Sequence, residues 1–305
     1  MLTYLFPGQG SQYVGMGQDL YTTFSSAREV FEQADATLGI DLAQMCFEGP
    51  GETLNDTLNT QPAVFTTSIA ALRVLEEQHF GPPAYVAGHS LGEFSALVAA
   101  EALSFEDGLK LVRERGRLMK QAGDQNPGGM AAIIALDQEA VEQVCAQAQE
   151  SSDQYVGIAN DNCPGQIVIS GTNDALEQAM AQAKEAGAKI VKKLTVSAAF
   201  HSPLMAEAET EFRRVLAETP FQATVIPIIA NATATPLTDP EEMREAVAKQ
   251  LTSPVHWTES MGWILDQGAT RFIEIGPKNV LTGLMKRINR KTERTTSEDI
   301  LAQKE

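Results

Sequence analysis

The stretch that decides the fold is "YVAGHSLGEFSALVAA", residues 85–100. A short apolar run leads into Gly88-His89-Ser90-Leu91-Gly92, and a helical pattern follows. Strand, G-x-S-x-G and helix together are typical of a nucleophile elbow, whose serine occupies a strained turn with its hydroxyl clear of the sheet. Glycines two residues to either side leave room where side chains would collide. The stretch predicts that Ser90 is a nucleophile; the alternative is a structural serine in a chance match.

A second glycine-rich turn lies near the start of the chain. "FPGQGSQYVG", residues 6–15, follows an apolar run at 2–5 that is predicted to be a strand. Strands that run into such turns often cradle phosphates. Gly8 and Gly10 match the dinucleotide fingerprint, but Tyr13 replaces its third glycine. The mismatch argues against a dinucleotide, and leaves either a plain tight turn or a cradle for another anion.

Outward from these turns, strand-like runs alternate with helical patterns, which predicts an α/β fold. The further strands are predicted at 84–87, 130–136, 155–160, 166–170, 189–196, 224–231 and 271–277. The helices are predicted at 61–80, 91–101, 104–122, 139–150, 174–186, 203–219, 241–251 and from 279.

The middle of the chain has a different order of elements, β-α-β-β-α-β, which is that of a ferredoxin-like unit. We therefore expect an α/β-hydrolase-like large subdomain over 1–126 and 197–290 that carries the serine. A ferredoxin-like small subdomain over 127–196 would be inserted into it. The remainder, 291–305, is polar and is expected to be a flexible tail.

Composition limits the partners. The 305 residues carry a net charge of −17, which disfavours nucleic acid and anionic membranes. No apolar stretch is long enough to span a membrane, and no signal peptide is evident. Three cysteines without disulfide or metal-ligand spacing indicate a cytoplasmic protein without a metal site. An acidic partner could still dock on one of two local basic patches; the alternative is that these are ordinary solvated surface. One patch consists of Lys189, Lys192 and Lys193, and the other of Lys278, Lys286, Arg287, Arg290 and Lys291.

A serine nucleophile needs a base, and the chain has four histidines. His89 adjoins the serine in a turn that points its side chain away. His79 ends a surface helix, and His256 precedes a helix start. Elimination leaves His201, where the chain returns from the inserted unit. No acid for a full triad is evident, so a backbone or amide carbonyl could orient the imidazole instead.

One arginine is expected to be buried. In "LVRERGRLMK", residues 111–120, helical spacing places Arg113 and Arg117 on one face and Arg115 nearly opposite, on the apolar face. A buried arginine requires an anion. It forms either a structural ion pair or a bidentate clamp for a substrate carboxylate.

Taken together, the chain resembles the malonyl-CoA:acyl carrier protein transacylases and the related acyltransferase domains of polyketide synthases. The resemblance covers about residues 1–290. It rests on a series of motifs in order: "FPGQGSQ", "TQPAV", "GHSLGE", "RG" at 115–116, "GGMAAI", "NDNCPGQIVISG", "AAFHSPLM", "KQLTSPVHW" and "EIGPKNVLTGL".

The resemblance implies roles for particular residues. Ser90 would be the nucleophile and His201 its base, oriented by the backbone carbonyl of Gln250. The backbone N–H groups of Gln9 and Leu91 would form the oxyanion hole, which answers what the glycine-rich turn at residues 6–15 cradles.

The resemblance also implies substrate selectivity. Arg115 would bind the malonyl carboxylate. Phe200, in "AAFH", would restrict an α-methyl branch, although Ala198 departs from the "HAFH" of malonyl-selective polyketide acyltransferases. His89 would support the elbow.

The implied reaction is ping-pong transfer of malonyl from malonyl-CoA to the pantetheine thiol of an acyl carrier protein, with no permanently bound cofactor. A trans-acting polyketide synthase acyltransferase would carry the same motifs. A serine esterase or thioesterase would share the elbow, but the missing triad acid and Arg115 count against it.

Overall fold

The computed structural model describes residues 1–302. Its strands are, in chain order, β1 (Leu2–Phe6), β2 (Tyr85–Gly88), β3 (Gly128–Ile134), β4 (Val156–Cys163), β5 (Gln166–Thr172), β6 (Ile190–Lys193), β7 (Ile228–Ile229), β8 (Pro236–Leu237), β9 (Val255–His256), β10 (Arg271–Glu274) and β11 (Glu293–Thr296).

The helices, also in chain order, are α1 (Gln18–Thr23), α2 (Ser25–Leu38), α3 (Leu42–Glu48), α4 (Gly51–Asn55), α5 (Thr57–Glu77), α6 (Gly92–Ala99), α7 (Phe105–Gln125), α8 (Gln138–Ser152), α9 (Asn173–Glu185), α10 (Ala206–Glu218), α11 (Pro240–Lys249), α12 (Trp257–Asp266), α13 (Val280–Ile288) and α14 (Ser297–Ala302). A 3₁₀ turn at Pro203–Met205 precedes α10. The predicted mixed α/β class is confirmed.

The larger sheet has the order β11-β10-β1-β2-β7-β8, and all its pairs are parallel except β7 with β8. Near its centre, β1 is buried beyond its first residue and is apolar or aromatic except at Thr3, as a parallel strand covered on both faces should be. Since β1 and β2 are parallel neighbours, the turns after their carboxyl ends lie side by side. This register brings the turn at 7–15 next to the turn that holds Ser90.

The smaller sheet has the order β6-β3-β5-β4-β9. Its first four strands and the helices α8 and α9 follow the chain order β-α-β-β-α-β, with antiparallel pairing throughout that part. The two helices share an apolar core with the sheet, formed by residues such as Ile133, Ile169 and Leu176. Strand β9 comes from beyond 127–196 and pairs parallel with β4, so it joins the smaller sheet to the last third of the chain.

The expectation of a flexible tail over 291–305 is wrong for the part that the structure describes. Strand β11 extends the larger sheet by pairing parallel with β10. Helix α14 follows at once, and Thr296 Oγ1 caps it by accepting a hydrogen bond from the backbone N–H of Asp299 at 3.0 Å. Leu301 packs into the main core. The segment is polar in composition, but it is ordered because β10 offers an edge for β11 to pair with and because Leu301 is buried. Residues 303–305 lie outside the described range.

Candidate active site

Ser90 occupies a sharp turn between β2 and α6. Its φ angle is 53°, in the left-handed region that a serine adopts only when its surroundings enforce it. A Cβ atom on Gly88 would lie 1.9 Å from the carbonyl group of Gly92, and one on Gly92 would lie 2.0 Å from the carbonyl oxygen of Phe6. Both positions therefore require glycine, which is the physical reason for the G-x-S-x-G spacing.

His201 lies against this serine. Its Nε2 is 2.8 Å from Ser90 Oγ, and its Nδ1 is 2.8 Å from the backbone carbonyl oxygen of Gln250. A carbonyl can only accept, so Nδ1 carries the proton and Nε2 presents its lone pair to the serine hydroxyl. Burial, followed by the charge of Arg115, lowers the pKa of His201 to about 3. The imidazole is therefore neutral at physiological pH, as a general base must be.

Arg115 is buried beside the same hydroxyl, with 1% of its surface exposed. Its Nη1 donates to Gln61 Oε1 at 2.8 Å, and its Nη2 donates to Gln250 Oε1 at 2.7 Å and to Ser90 Oγ at 3.0 Å. Its Nε is buried and has no acceptor among the described residues. Burial lowers the pKa of Arg115 to about 10, so the guanidinium keeps its charge at neutral pH.

The other two arginines of α7 lie as the helical spacing predicts. Arg113 is half-buried and donates to the carbonyl oxygen of Leu58 and to Asn59 Oδ1. Arg117 is on the surface and pairs with Glu114. Neither donates a hydrogen bond to Ser90, which leaves Arg115 as the cation of α7 that reaches the serine.

Two backbone amides complete the constellation. Gln9 lies in the turn after β1, and Leu91 follows the serine at the start of α6. Within residues 1–302, neither amide N–H has an acceptor. Both residues line the cleft of about 120 Å³ that Ser90, Arg115 and His201 also line. Free N–H groups beside a nucleophile are suited to stabilising an oxyanion.

His89 and Phe200 shape the surroundings of the site. The ring of His89 points away from the serine, as expected: its Nε2 is 2.7 Å from Asn162 Oδ1, and the ring packs on Trp257 with centroids 5.4 Å apart. Phe200 is almost fully buried and lines the cleft next to the base. The roles of all these residues stay predictions, but the fold brings every one of them to a single place.

Three buried side chains around the site were missed by the sequence reasoning. Glu93, in "GHSLGE", and Gln61, in "TQPAV", lie within motifs that were recognised without roles for these residues. Asn231 lies in no recognised motif. A charged side chain among apolar neighbours is the signal that could have found Glu93, whereas Gln61 follows Asn59 and Thr60 and carries no such local signal.

Among the described residues, no cluster of three or more His, Cys, Asp or Glu side chains is arranged to hold a metal ion. None of the helices within residues 1–302 has the length and apolar composition needed to cross a membrane.

An α/β fold with a strained serine, a neutral histidine on its hydroxyl and free amides beside it defines an enzyme of the serine acyl-transfer class. Residues 3–304 match the family model described as acyl transferase domain. A malonyl CoA-acyl carrier protein transacylase of Bacillus subtilis is 46% identical over 290 residues, which are 95% of this chain and 91% of that protein.

Solved structures agree. An acyl carrier protein S-malonyltransferase from Vibrio cholerae superposes with a TM-score of 0.94 at 43% identity, over 98% of this chain and 99% of that one. A malonyl-transacylase that was solved in complex with a type II polyketide synthase acyl-carrier protein superposes with a TM-score of 0.94 at 40% identity. The match covers 97% of this chain and 95% of that one. The chain therefore belongs to the malonyl CoA-acyl carrier protein transacylase family, an acyltransferase family, as its motifs predicted.

Proposed function

We propose that this protein transfers the malonyl group from malonyl-CoA to the pantetheine thiol of an acyl carrier protein, through a malonyl ester of Ser90. One observation carries the proposal: Ser90 Oγ lies within hydrogen-bond distance of both His201 Nε2 and Arg115 Nη2. The first contact activates the hydroxyl, and the second places a cation where an acyl group on that oxygen would extend.

The first half-reaction forms the ester. His201 Nε2 accepts the hydroxyl proton as Ser90 Oγ attacks the thioester carbonyl. The backbone N–H groups of Gln9 and Leu91 donate to the oxyanion, and each well-placed donor contributes roughly 3–4 kcal/mol. The tetrahedral intermediate collapses, its C–S bond breaks, and coenzyme A leaves as the thiol after taking the proton from His201.

In the second half-reaction, the pantetheine thiol is the nucleophile and Ser90 Oγ is the leaving group. His201 accepts the proton of the pantetheine thiol as its sulfur attacks the ester carbonyl. The second tetrahedral intermediate breaks its bond to Ser90 Oγ, which regains the proton from the histidine. Gln250 holds the imidazole in one tautomer through both steps, so no carboxylate needs to contact it.

Arg115 explains the preference for a malonyl group. The N–H of Nε and one N–H of Nη2 lie on the same edge of a guanidinium, the edge that binds a carboxylate bidentately. Nε has no acceptor among residues 1–302, and Nη2 donates to Gln250 Oε1 and to Ser90 Oγ, the oxygen that would carry the acyl group. The other contacts, to Gln61 and Gln250, keep the group aimed while this edge binds the substrate.

The intermediate itself is the test. Incubation with malonyl-CoA should add the mass of one malonyl group to the protein, with the modification on Ser90, and an acyl carrier protein should discharge it. Ser90→Ala is the control that should stay unmodified. Rapid release of free malonate without any carrier would instead identify a hydrolase.

A polyketide carrier is the second candidate, because a 40% identical relative was solved with a type II polyketide synthase acyl-carrier protein. Discharge rates with fatty-acid and polyketide carriers, compared side by side, would assign the pathway. We expect the cytoplasm as its location, since all three cysteines are free thiols, as in a reducing compartment.

A further inference from the structure

One buried amide side chain bridges the turn that carries the nucleophile. Asn231 lies two residues beyond β7, the neighbour of β2 in the larger sheet, and is 1% exposed. Its Oδ1 accepts the backbone N–H of Ser90 at 2.6 Å, and its Nδ2 donates to the carbonyl oxygen of Gly88 at 2.7 Å. A single side chain therefore pairs the backbone on both sides of His89.

The elbow creates the need for this bridge. After Gly88 the chain leaves the sheet, so a strand can no longer pair these two backbone groups. An asparagine amide offers one acceptor and two donors in one plane, which suits an N–H and a C=O that lie close together. Without it, the buried carbonyl group of Gly88 and the partly buried N–H of Ser90 would lose their partners, and the left-handed conformation of Ser90 would lose a restraint that opposes its strain.

Asn231 is itself fixed. Its backbone N–H donates to Glu93 Oε1 at 3.3 Å, and its carbonyl oxygen accepts the backbone N–H of His256 at 2.9 Å. The other carboxylate oxygen of Glu93 accepts from Gln250 Nε2 at 2.5 Å, and the same Nε2 donates to the carbonyl oxygen of Ser90 at 2.9 Å. The serine is thus held through both its N–H and its C=O.

We propose that Asn231 is a positioning residue for the acyl transfer proposed above: it holds the Ser90 backbone so that Oγ stays against His201. It also directs the Ser90 N–H away from the cleft, which leaves the amides of Gln9 and Leu91 as the donors to the oxyanion. Asn231 makes no hydrogen bond to Arg115 or to the Ser90 hydroxyl; its side chain bonds only to the backbone of Ser90 and Gly88. Its loss should slow the chemical step equally for every acyl group.

The test compares Asn231→Leu with wild type for malonyl and acetyl transfer. Because a displacement of about 1 Å at a reacting group costs on the order of 100-fold, kcat should fall about 10–100-fold for both substrates. KM and the malonyl-to-acetyl ratio should stay within about threefold of wild type, since the hydrogen bonds from Arg115 to Gln61 and Gln250 that aim the guanidinium do not involve Asn231. A purely structural loss would lower the folded fraction and Tm, but would not lower kcat per folded molecule.

Glu274→Gln is the matched control. Glu274 is also fully buried and accepts two backbone N–H groups, those of Leu281 and Thr282, but it contacts none of the site residues. It should lose stability and keep its kcat. If Asn231→Leu retains as much kcat as this control, or loses malonyl transfer selectively, the proposal is overturned.

Asn231→Asp carries the test if the leucine variant does not fold. This variant keeps an acceptor for the Ser90 N–H and loses the donor to the Gly88 carbonyl oxygen. Because about one hydrogen bond is lost, kcat should fall about tenfold. A wild-type kcat would overturn the proposal.

Labelling Ser90 with a fluorophosphonate reports on the nucleophile without malonyl-CoA, and its rate should fall in parallel with kcat. An unchanged labelling rate in a folded Asn231 variant would overturn the positioning role. Failure of wild type to transfer malonyl would contradict the proposed function instead, and the two results are distinguishable.

Discussion

Replacing Arg115 with alanine should change which acyl group the enzyme prefers. A malonyl group on Ser90 would lose up to two charged hydrogen bonds, from Nε and Nη2. One such bond contributes about 1.5–3 kcal/mol, so its loss should lower kcat/KM for malonyl-CoA by about 10–100-fold. Loss of the second bond would increase this factor. Acetyl-CoA has no carboxylate to lose, so its transfer should hold steady or rise.

The assay is the ratio of kcat/KM for malonyl-CoA to that for acetyl-CoA. The substitution also leaves Oε1 of Gln61 and Oε1 of Gln250 without their donor, so some stability should be lost, and rates must be expressed per folded molecule. Arg115→Lys should give an intermediate ratio, because an ammonium keeps the charge but lacks the planar fork.

Arg113→Ala is the matched control on the same helix. Arg113 makes two hydrogen bonds, to Leu58 and Asn59, and neither contacts the site, so its loss should lower stability without moving the ratio. If Arg115→Ala lowers both activities and leaves the ratio unchanged, the arginine supports the fold and the reasoning about the clamp is refuted.

Three further outcomes are expected. Ser90→Ala should fold and form no acyl-enzyme; radiolabel from malonyl-CoA that still attached covalently would show another nucleophile. Because burial lowers the pKa of His201 to about 3, acylation should stay flat from about pH 8 to pH 5, and a fall centred near 6.5 would contradict a neutral buried base. Since only the unfolded chain binds that proton, the contribution of His201 to stability should fall as pH drops below about 6.5; the contributions of Glu93 and Glu274, whose pKa burial raises to about 7, should rise as pH drops below about 7. Lys189, Lys192 and Lys193 are all exposed at or beside the edge strand β6. If they attract an acidic carrier protein, added salt should slow the second half-reaction more than the first. Equal salt sensitivity of the two half-reactions would exclude these lysines as the docking site.

The sequence was sufficient for the features that depend on local geometry. The G-x-S-x-G spacing between a strand and a helix is readable from a few adjacent letters, and Gly88 is required by a contact within that turn, with Gly92. Gly92 is required by Phe6 of the neighbouring strand β1, which only the structure shows. Helical phase alone placed Arg115 opposite Arg113 and Arg117, because 100° per residue fixes which side chains share a face. The family followed from the order of such motifs along the chain.

Only the tertiary structure decided what these residues contact. Ser90 meets Asn231, 141 positions along the chain, because β7 lies beside β2 in the larger sheet, and no local pattern encodes that order. Glu93 reads from the sequence as a charge in an apolar helix; its partners, Asn231 and Gln250, come from segments that the sheets bring together. Residues 293–296 form a strand because β10 offers them an unpaired edge. Local sequence restricts the backbone and the faces of each element, whereas contacts between distant segments depend on how the sheets are ordered and packed.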